Sequence, residues 1–395
     1  MKLFRYGLLF TVFILRFCNA ASLFRAFPKI KDTMPHLQLC NLPTPIKRLT
    51  QLEQHLAQYG KLQAGTEFFV KNDNKTTDSF GGNKPRKLEG PLGEAHAKGC
   101  EHIITEGSTG SNFGCATAVL AKNLGFKSCT LIYSPQINTK YLQRNALWAT
   151  QAEAQFLFCK DRAERKERCD AAAAEAQKPG SKTYFIPSGA SNPLGTIGFV
   201  NAAFELKEQI DAGILPSPDE IIITFGSAGS VTGLLLGLKA AGLPCHVITT
   251  CAVNDPDKTA FQDIANLYRS TNDLLQTYDP SFPCCELTPA DVTVDWDHYH
   301  GEYAKIGQGD AEAIALLNET EGIKTDGTYA GKAVSTLIDY VPKLAGKKVL
   351  LWNTFCSGDP AHIETLRSDY QTLLAPGWLP YFDGTIPLQP LDQGV

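Results

Sequence analysis

From about residue 66 onward, short runs rich in β-branched and aromatic residues alternate with longer stretches of helical periodicity. The runs predict strands at Glu67–Lys71, His102–Thr105, Cys129–Tyr133, Gln155–Cys159, Thr183–Ile186, Glu220–Thr224, His246–Cys251, Val292–Asp295 and Lys347–Trp352. Helical patterns fill intervals at Phe113–Leu124, Ala163–Gln177, Leu194–Ile210, Val231–Ala241, Thr259–Gln276, Ala311–Glu321 and Lys332–Lys343. Such alternation predicts an α/β fold, with parallel sheets sandwiched by helices and ligand sites at the carboxyl ends of strands. No internal repeat is visible. The stretch from Ala375 to Val395 holds four prolines and reads as an irregular tail.

The first twenty residues differ in character. Lys2 and Arg5 precede an apolar run from Tyr6 to Leu15, and Cys18-Asn19-Ala20 offers small residues for cleavage. The pattern is that of a secretory leader, too short to span a bilayer. Arg16 interrupts it, so a transit-like or merely apolar leader stays open. A cleaved leader implies a secreted or periplasmic protein, and an uncleaved one a cytoplasmic or organellar protein. No later run approaches a membrane span, so no membrane partner is expected for the mature chain.

A length of 395 residues fits a two-domain enzyme, and 43% apolar with 20% charged residues is ordinary globular composition. The net charge of −4 contains no block of one sign, which argues against nucleic acid as a partner and for a small molecule. Twelve cysteines are scattered without a C-x-x-C pair, which removes zinc-ribbon and thioredoxin readings. His298-Tyr299-His300 lacks a third ligand in the sequence, so no metal is expected.

Three loops carry candidate chemistry. In Gly81-Gly82-Asn83-Lys84-Pro85-Arg86-Lys87-Leu88-Glu89, two glycines free the backbone and three cations crowd together. Such crowding lowers a lysine's pKa, as an imine-forming amine requires, although a basic turn opening a helix explains the pattern too. Gly107-Ser108-Thr109-Gly110-Ser111-Asn112-Phe113-Gly114 opens an apolar helix, suiting either a carboxylate ligand or a plain N-cap. Gly226-Ser227-Ala228-Gly229-Ser230-Val231-Thr232-Gly233 follows an apolar strand, suiting a phosphate or a tight packing turn.

Together these loops resemble those of the D-cysteine desulfhydrase and aminocyclopropane-carboxylate deaminase family, pyridoxal-phosphate enzymes of the tryptophan-synthase-β-like fold (fold type II). The likeness runs from Leu42-Pro43-Thr44-Pro45 to about Ser357 and includes the block Ile186-Pro187-Ser188-Gly189-Ala190-Ser191-Asn192-Pro193. The resemblance implies a pyridoxal 5'-phosphate cofactor in a cleft between two open parallel-sheet domains. The large one would combine residues 39–86 and 194–376, the small one would span 87–193, and 377–395 would form the tail. Lys84 would be the Schiff-base lysine and the base at the substrate α-carbon. Lys87 would help hold the cofactor phosphate in a cup of Ser227, Ala228, Gly229 and Ser230. Asn112 would meet the phenolic oxygen, Ser111 the substrate, and Tyr303 and Tyr329 would be the two active-site tyrosines. Without the family context each tyrosine reads more readily as a half-buried packing residue.

Departures from the family bear on the reaction. Ala330 stands where the deaminases carry a glutamate at the pyridine nitrogen, leaving Thr354 as the partner of that nitrogen. Gly110 replaces a common glutamine, Phe113 a polar residue, and Asn353-Thr354-Phe355-Cys356-Ser357 a His-Thr-Gly-Gly turn. The implied activity is β-elimination on a small amino acid, D-cysteine first, giving pyruvate, ammonia and sulfide. Aminocyclopropane-carboxylate deamination, amino-acid racemisation and cofactor binding without turnover are the alternatives. The family's habit implies a homodimer.

Overall fold

The computed structural model describes residues 22–358 and 370–393, so the leader expected over residues 1–20 lies outside the described residues. The chain builds two sheets. The larger has six strands: β1 (Ile46–Arg48), β2 (Glu67–Asn72), β7 (Glu220–Phe225), β8 (His246–Cys251), β9 (Val292–Asp295) and β10 (Lys348–Asn353). Their order is β1-β2-β10-β7-β8-β9. The smaller sheet has order β5-β4-β3-β6, from β3 (His102–Ser108), β4 (Ser128–Ser134), β5 (Gln155–Phe158) and β6 (Thr183–Ile186). Every pairing is parallel except β1 against β2. That antiparallel edge was not foreseen, because three residues are too few to show alternation.

Burial explains why the central strands read as unbroken apolar runs. All six residues of β7 are buried, as a parallel strand covered on both faces requires. Helix Pro193–Asp211 is buried on nearly every side, and small residues let its neighbours approach. A Cβ at Gly198 would stand 2.0 Å from the Arg86 carbonyl oxygen, and one at Gly237 would stand 2.6 Å from Ala203 Cβ. The first contact seats helix Asn83–Ala97 against Pro193–Asp211 and fixes where Lys84 begins.

Beneath that crossing lies a buried ionic cluster. Arg86 forks onto Asp73 with Nη2–Oδ1 2.8 Å and Nε–Oδ2 2.9 Å, and reaches Glu205 Oε2 at 2.8 Å. Lys71 donates to Glu205 Oε1 at 2.6 Å, and the Trp352 indole N–H donates to Asp73 at 2.9 Å. The cluster therefore ties β2, β10 and both helices to one point.

The tail is not an irregular extension. It forms short helical turns at Pro376–Trp378 and Leu379–Phe382, and its aromatic residues dock on the small sheet. Trp378 is fully buried, its ring 5.2 Å from Phe158 and 5.4 Å from Phe156 between centroids. Asn138 Nδ2 donates to the carbonyls of Tyr381 and Ile386, both at 2.8 Å. At the far end, Gln389 accepts from Ile306 N–H at 3.1 Å and donates to Ala304 O at 3.0 Å. The four prolines masked two apolar anchors, Trp378 and Tyr381, that drive this docking.

Burial opposes ionisation of Glu205, but Arg86 and Lys71 outweigh it and hold the carboxyl down at about 2, from 4.5. A carboxyl lowered on folding contributes stability that is complete above its unfolded value and lost as pH falls toward the folded one. Glu205→Gln should thus cost about 3–5 kcal/mol in urea unfolding at neutral pH. The gap to the unchanged protein should narrow between pH 4.5 and 2; a constant gap would show that the charge is not the agent.

Candidate active site

Because the parallel strands of each sheet run together, the loops at their carboxyl ends meet. Those after β2, β3, β5, β6, β7, β8, β9 and β10 all contribute to one cleft of about 250 Å³. All the site residues implied by the resemblance line it: Lys84, Lys87, Ser111, Asn112, Ser227, Ala228, Gly229, Ser230, Tyr303, Tyr329 and Thr354.

Lys84 is the second residue of helix Asn83–Ala97, held at the cleft by Gly82. Gly82 has φ +122°, and a Cβ there would stand 3.0 Å from the Phe355 carbonyl, so only glycine fits. The Lys84 Nζ lies 5.4 Å from the centroid of the Tyr329 ring. Burial lowers its ammonium to about 8, against weaker opposing pulls from Cys356 and Asp326. Charge crowding was expected to do this, and the structure corrects the cause. Arg86 points away into its carboxylate pair, so dehydration does the work.

Lys87 has no carboxylate partner among the described residues and is 1% exposed. Its Nζ donates to Ser191 Oγ at 3.2 Å, and Ser191 donates to Ser227 Oγ at 2.7 Å. Burial and then the nearby Lys84 push the Lys87 ammonium well below its usual range. The buried Lys87 amine and the partly buried Lys84, facing a cup of hydroxyls and N–H groups, form a site for an anion. Ala228 supports this by adopting φ +66° at the start of helix Gly229–Ala240, a strain of about 1–3 kcal/mol for a non-glycine residue. The cup has no room for larger residues: a Cβ at Gly229 would stand 2.8 Å from Lys87 Nζ. Asn83 Nδ2 donates to Ser230 Oγ at 3.0 Å, joining the lysine helix to the cup.

Opposite lies the start of helix Asn112–Asn123. Ser111 is its N-cap, accepting from Gly114 N–H at 3.1 Å, while its own hydroxyl proton remains available in the cleft. The capping and ligand readings of this loop are thus compatible. Asn112 Oδ1 accepts from Arg144 at 3.0 Å and from Asn145 at 2.8 Å, leaving the amide hydrogens as its donors. Phe113 is 3% exposed and packs in the small-sheet core. Gly110 does not leave a gap: Gln136 Nε2 stands 2.3 Å from where its Cβ would be.

The tyrosines form a pair, with hydroxyl oxygens 2.6 Å apart. Burial pushes both phenols up, so both keep their protons near neutral pH. Tyr329 is aimed by Asp326, whose Oδ1 accepts from the N–H groups of Tyr329 (2.7 Å) and Thr328 (3.0 Å). Tyr303 sits on a loop held by Lys332, which donates to His298 O at 2.7 Å and Lys305 O at 2.8 Å. His298 and His300 pair with Asp295 and Asp310, at 2.8 Å each. Thr354 is 8% exposed and its hydroxyl has no partner among the described residues.

Sequence reasoning missed Arg144, Asn145, Asp326, Asn83 and Ser191. The first two lie on helix Lys140–Gln151, which was not foreseen. Its signal was present in the Thr139 cap and in buried Leu142, Ala146 and Ala149.

A small carbonyl reagent fixed by reduction should label Lys84 with a pH midpoint near 8, ahead of the surface lysines. Labelling spread evenly over surface lysines at pH 8 would contradict the dehydrated amine.

The sequence profile of the family described as "Pyridoxal-phosphate dependent enzyme" matches residues 37–354. A putative 1-aminocyclopropane-1-carboxylate deaminase of Pyrococcus furiosus is 31% identical over 332 residues, covering 83% of this chain and 94% of that protein. A D-cysteine desulfhydrase of Klebsiella pneumoniae is 31% identical over 310 residues, covering 77% and 88%. Among solved structures, an ACC deaminase homologue superposes with a TM-score of 0.70 at 27% identity, over 90% of this chain and 100% of that one. A fungal L-serine ammonia-lyase from Rhizomucor miehei shares the fold, with a TM-score of 0.54 at 19% identity over 85% and 99%. The chain belongs to the pyridoxal-phosphate dependent enzymes, in the family that holds the D-cysteine desulfhydrases and aminocyclopropane-carboxylate deaminases.

Proposed function

We propose that this enzyme eliminates the β-substituent of a small amino acid, D-cysteine foremost, giving pyruvate, ammonia and sulfide. The observation that carries the reading is the pairing of Ala330 with Thr354. Ala330 is 2% exposed at the start of helix Ala330–Tyr340 and supplies no carboxylate, while the Thr354 hydroxyl faces the cleft unpaired. Asp326 also lines the cleft, but its Oδ1 is engaged by two backbone N–H groups.

The residues present fit pyridoxal phosphate. Lys87, Ser191, Ser227 and Ser230 would hold the phosphate, Asn112 the ring oxygen, Thr354 the ring nitrogen and Lys84 the aldehyde carbon. The cofactor supplies the sink for carbanion charge. Lys84, partly neutral near pH 8, can take the α-proton. The protonated Tyr303–Tyr329 pair can give a proton to the departing thiolate. Ser111 offers its hydroxyl proton to the substrate carboxylate. The 2-aminoacrylate set free then takes up water to become pyruvate and ammonia. We also read residues 87–193 as the small domain, 39–86 with 194–376 as the large one, and the assembly as a homodimer.

The direct test assays pyruvate from D-cysteine against 2-oxobutyrate from aminocyclopropane-carboxylate. Faster turnover of the cyclopropane would replace this reading with deamination. Ala330→Glu should gain ring opening and lose clean elimination, since a close carboxylate favours the protonated ring. Lys84→Ala should abolish the visible absorbance band of the reconstituted protein, whereas Lys87→Ala should mainly weaken cofactor retention. Ser230→Ala should loosen the cofactor roughly tenfold to a hundredfold, because a hydrogen bond to a charged group is worth about 1.5–3 kcal/mol. Unchanged stability of the cofactor-free protein in that variant separates cofactor binding from packing.

A further inference from the structure

Arg144 is 4% exposed, yet among the described residues it makes no ion pair. Its acceptors are all neutral: Asn112 Oδ1 at 3.0 Å, Asn145 Oδ1 at 2.9 Å, and the carbonyl oxygen of Cys356. Aromatic rings close around it, with centroids at 4.9 Å (Tyr141), 5.6 Å (Phe80) and 5.7 Å (Phe355). The ionisable groups that feel its charge are Asp326, Cys115 and Cys356. Burial raises all three, and Asp326 makes no direct contact with the guanidinium. A buried cation without a hydrogen-bonded counter-ion is costly to desolvate. Its three neutral acceptors call for donors rather than for a charge, so they do not by themselves account for the cation.

Its geometry supplies another reason. An arginine only donates, so Asn112 must turn Oδ1 toward it, and the amide cannot flip without setting donor against donor. Asn145 locks the same orientation, giving its amide to Asn112 Oδ1 and to Gly110 O at 2.8 Å each. The Asn112 hydrogens are thus the donors left for the cleft that this residue lines. The cation behind them polarises the amide and favours negative charge on whatever oxygen they meet. The other arm of the guanidinium holds the Cys356 carbonyl, two residues from Thr354, so one side chain spans both ends of the ring site.

We infer that Arg144 is a positioning residue that fixes the Asn112 amide and, through its unpaired charge, keeps the cofactor's ring oxygen anionic. The inference rests on the proposed placement of that oxygen at Asn112. A fixed positive charge disfavours added protons nearby, so it holds the pH midpoint of the visible band low; losing the charge raises that midpoint.

The test uses the reconstituted enzyme and the variants Arg144→Gln and Arg144→Lys. Arg144→Gln should raise the midpoint by about one pH unit, the size expected for losing one near charge. It should also weaken pyridoxal phosphate about tenfold while leaving an analogue without the ring oxygen unaffected. Arg144→Lys, which keeps the charge, should stay near the unchanged protein in midpoint. Equal weakening of both ligands with a fixed midpoint, or equal midpoint shifts in both variants, would make Arg144 a structural residue only. The unchanged protein gives a check that needs no variant: it should prefer the cofactor over the analogue at least about tenfold, and near-equal affinity overturns the inference. Failure of the wider reading looks different, since the unchanged protein would then bind pyridoxal phosphate without a band that depends on Lys84.

Discussion

The fork of Arg86 between Asp73 and Glu205 is the interaction on which the rest of the site depends. It lies two residues beyond Lys84 and joins the end of β2 to the helices Asn83–Ala97 and Pro193–Asp211. It also settles a chemical conflict. Three cations stand within four positions of sequence, yet a lysine that must shed its proton needs water kept away more than it needs a neighbouring charge. Pairing Arg86 fully with carboxylates removes it from the cleft and leaves burial to lower the Lys84 ammonium.

The cleft is otherwise a convergence of separate loops, each built for the same reason. At the end of a parallel strand the backbone must turn into a helix, and small residues let N–H groups point outward. The phosphate-type cup after β7 and the Ser111 turn after β3 are two instances, facing each other from different sheets. What joins them is side chain rather than backbone: Asn83 to Ser230, Arg144 to Asn112, and Tyr303 to Tyr329.

That division explains what was legible. Nine strands could be read because parallel strands beneath helices are short runs of apolar and β-branched residues, and the three loops could be read because small residues at strand ends are local features. β1 escaped because it owes its form to its partner β2. Helix Asn83–Ala97 was legible only as a helix that a basic turn could open, without extent, because glycines and prolines, needed for close approach, erase the helical period. Arg144 and Asn145 carry no local mark at all. Their meaning lies in a contact with Asn112, more than thirty residues earlier, that only the packing of two helices creates. The lowered Lys84 amine was anticipated from sequence for the wrong cause, since burial is a property of the whole and charge count is not.

The docked tail has a mechanical consequence. It is stitched to Asn138, in the loop after β4, through the carbonyls of Tyr381 and Ile386, and Gln389 bonds both the Asn138 carbonyl and the Ala304–Ile306 turn just past Tyr303. It works as a strap from the loop after β4 to the turn after β9, fastened by hydrogen bonds at each. Drawing those two loops apart must break one of the two sets of hydrogen bonds first, so a segment that lines none of the cleft helps fix the turn that carries Tyr303.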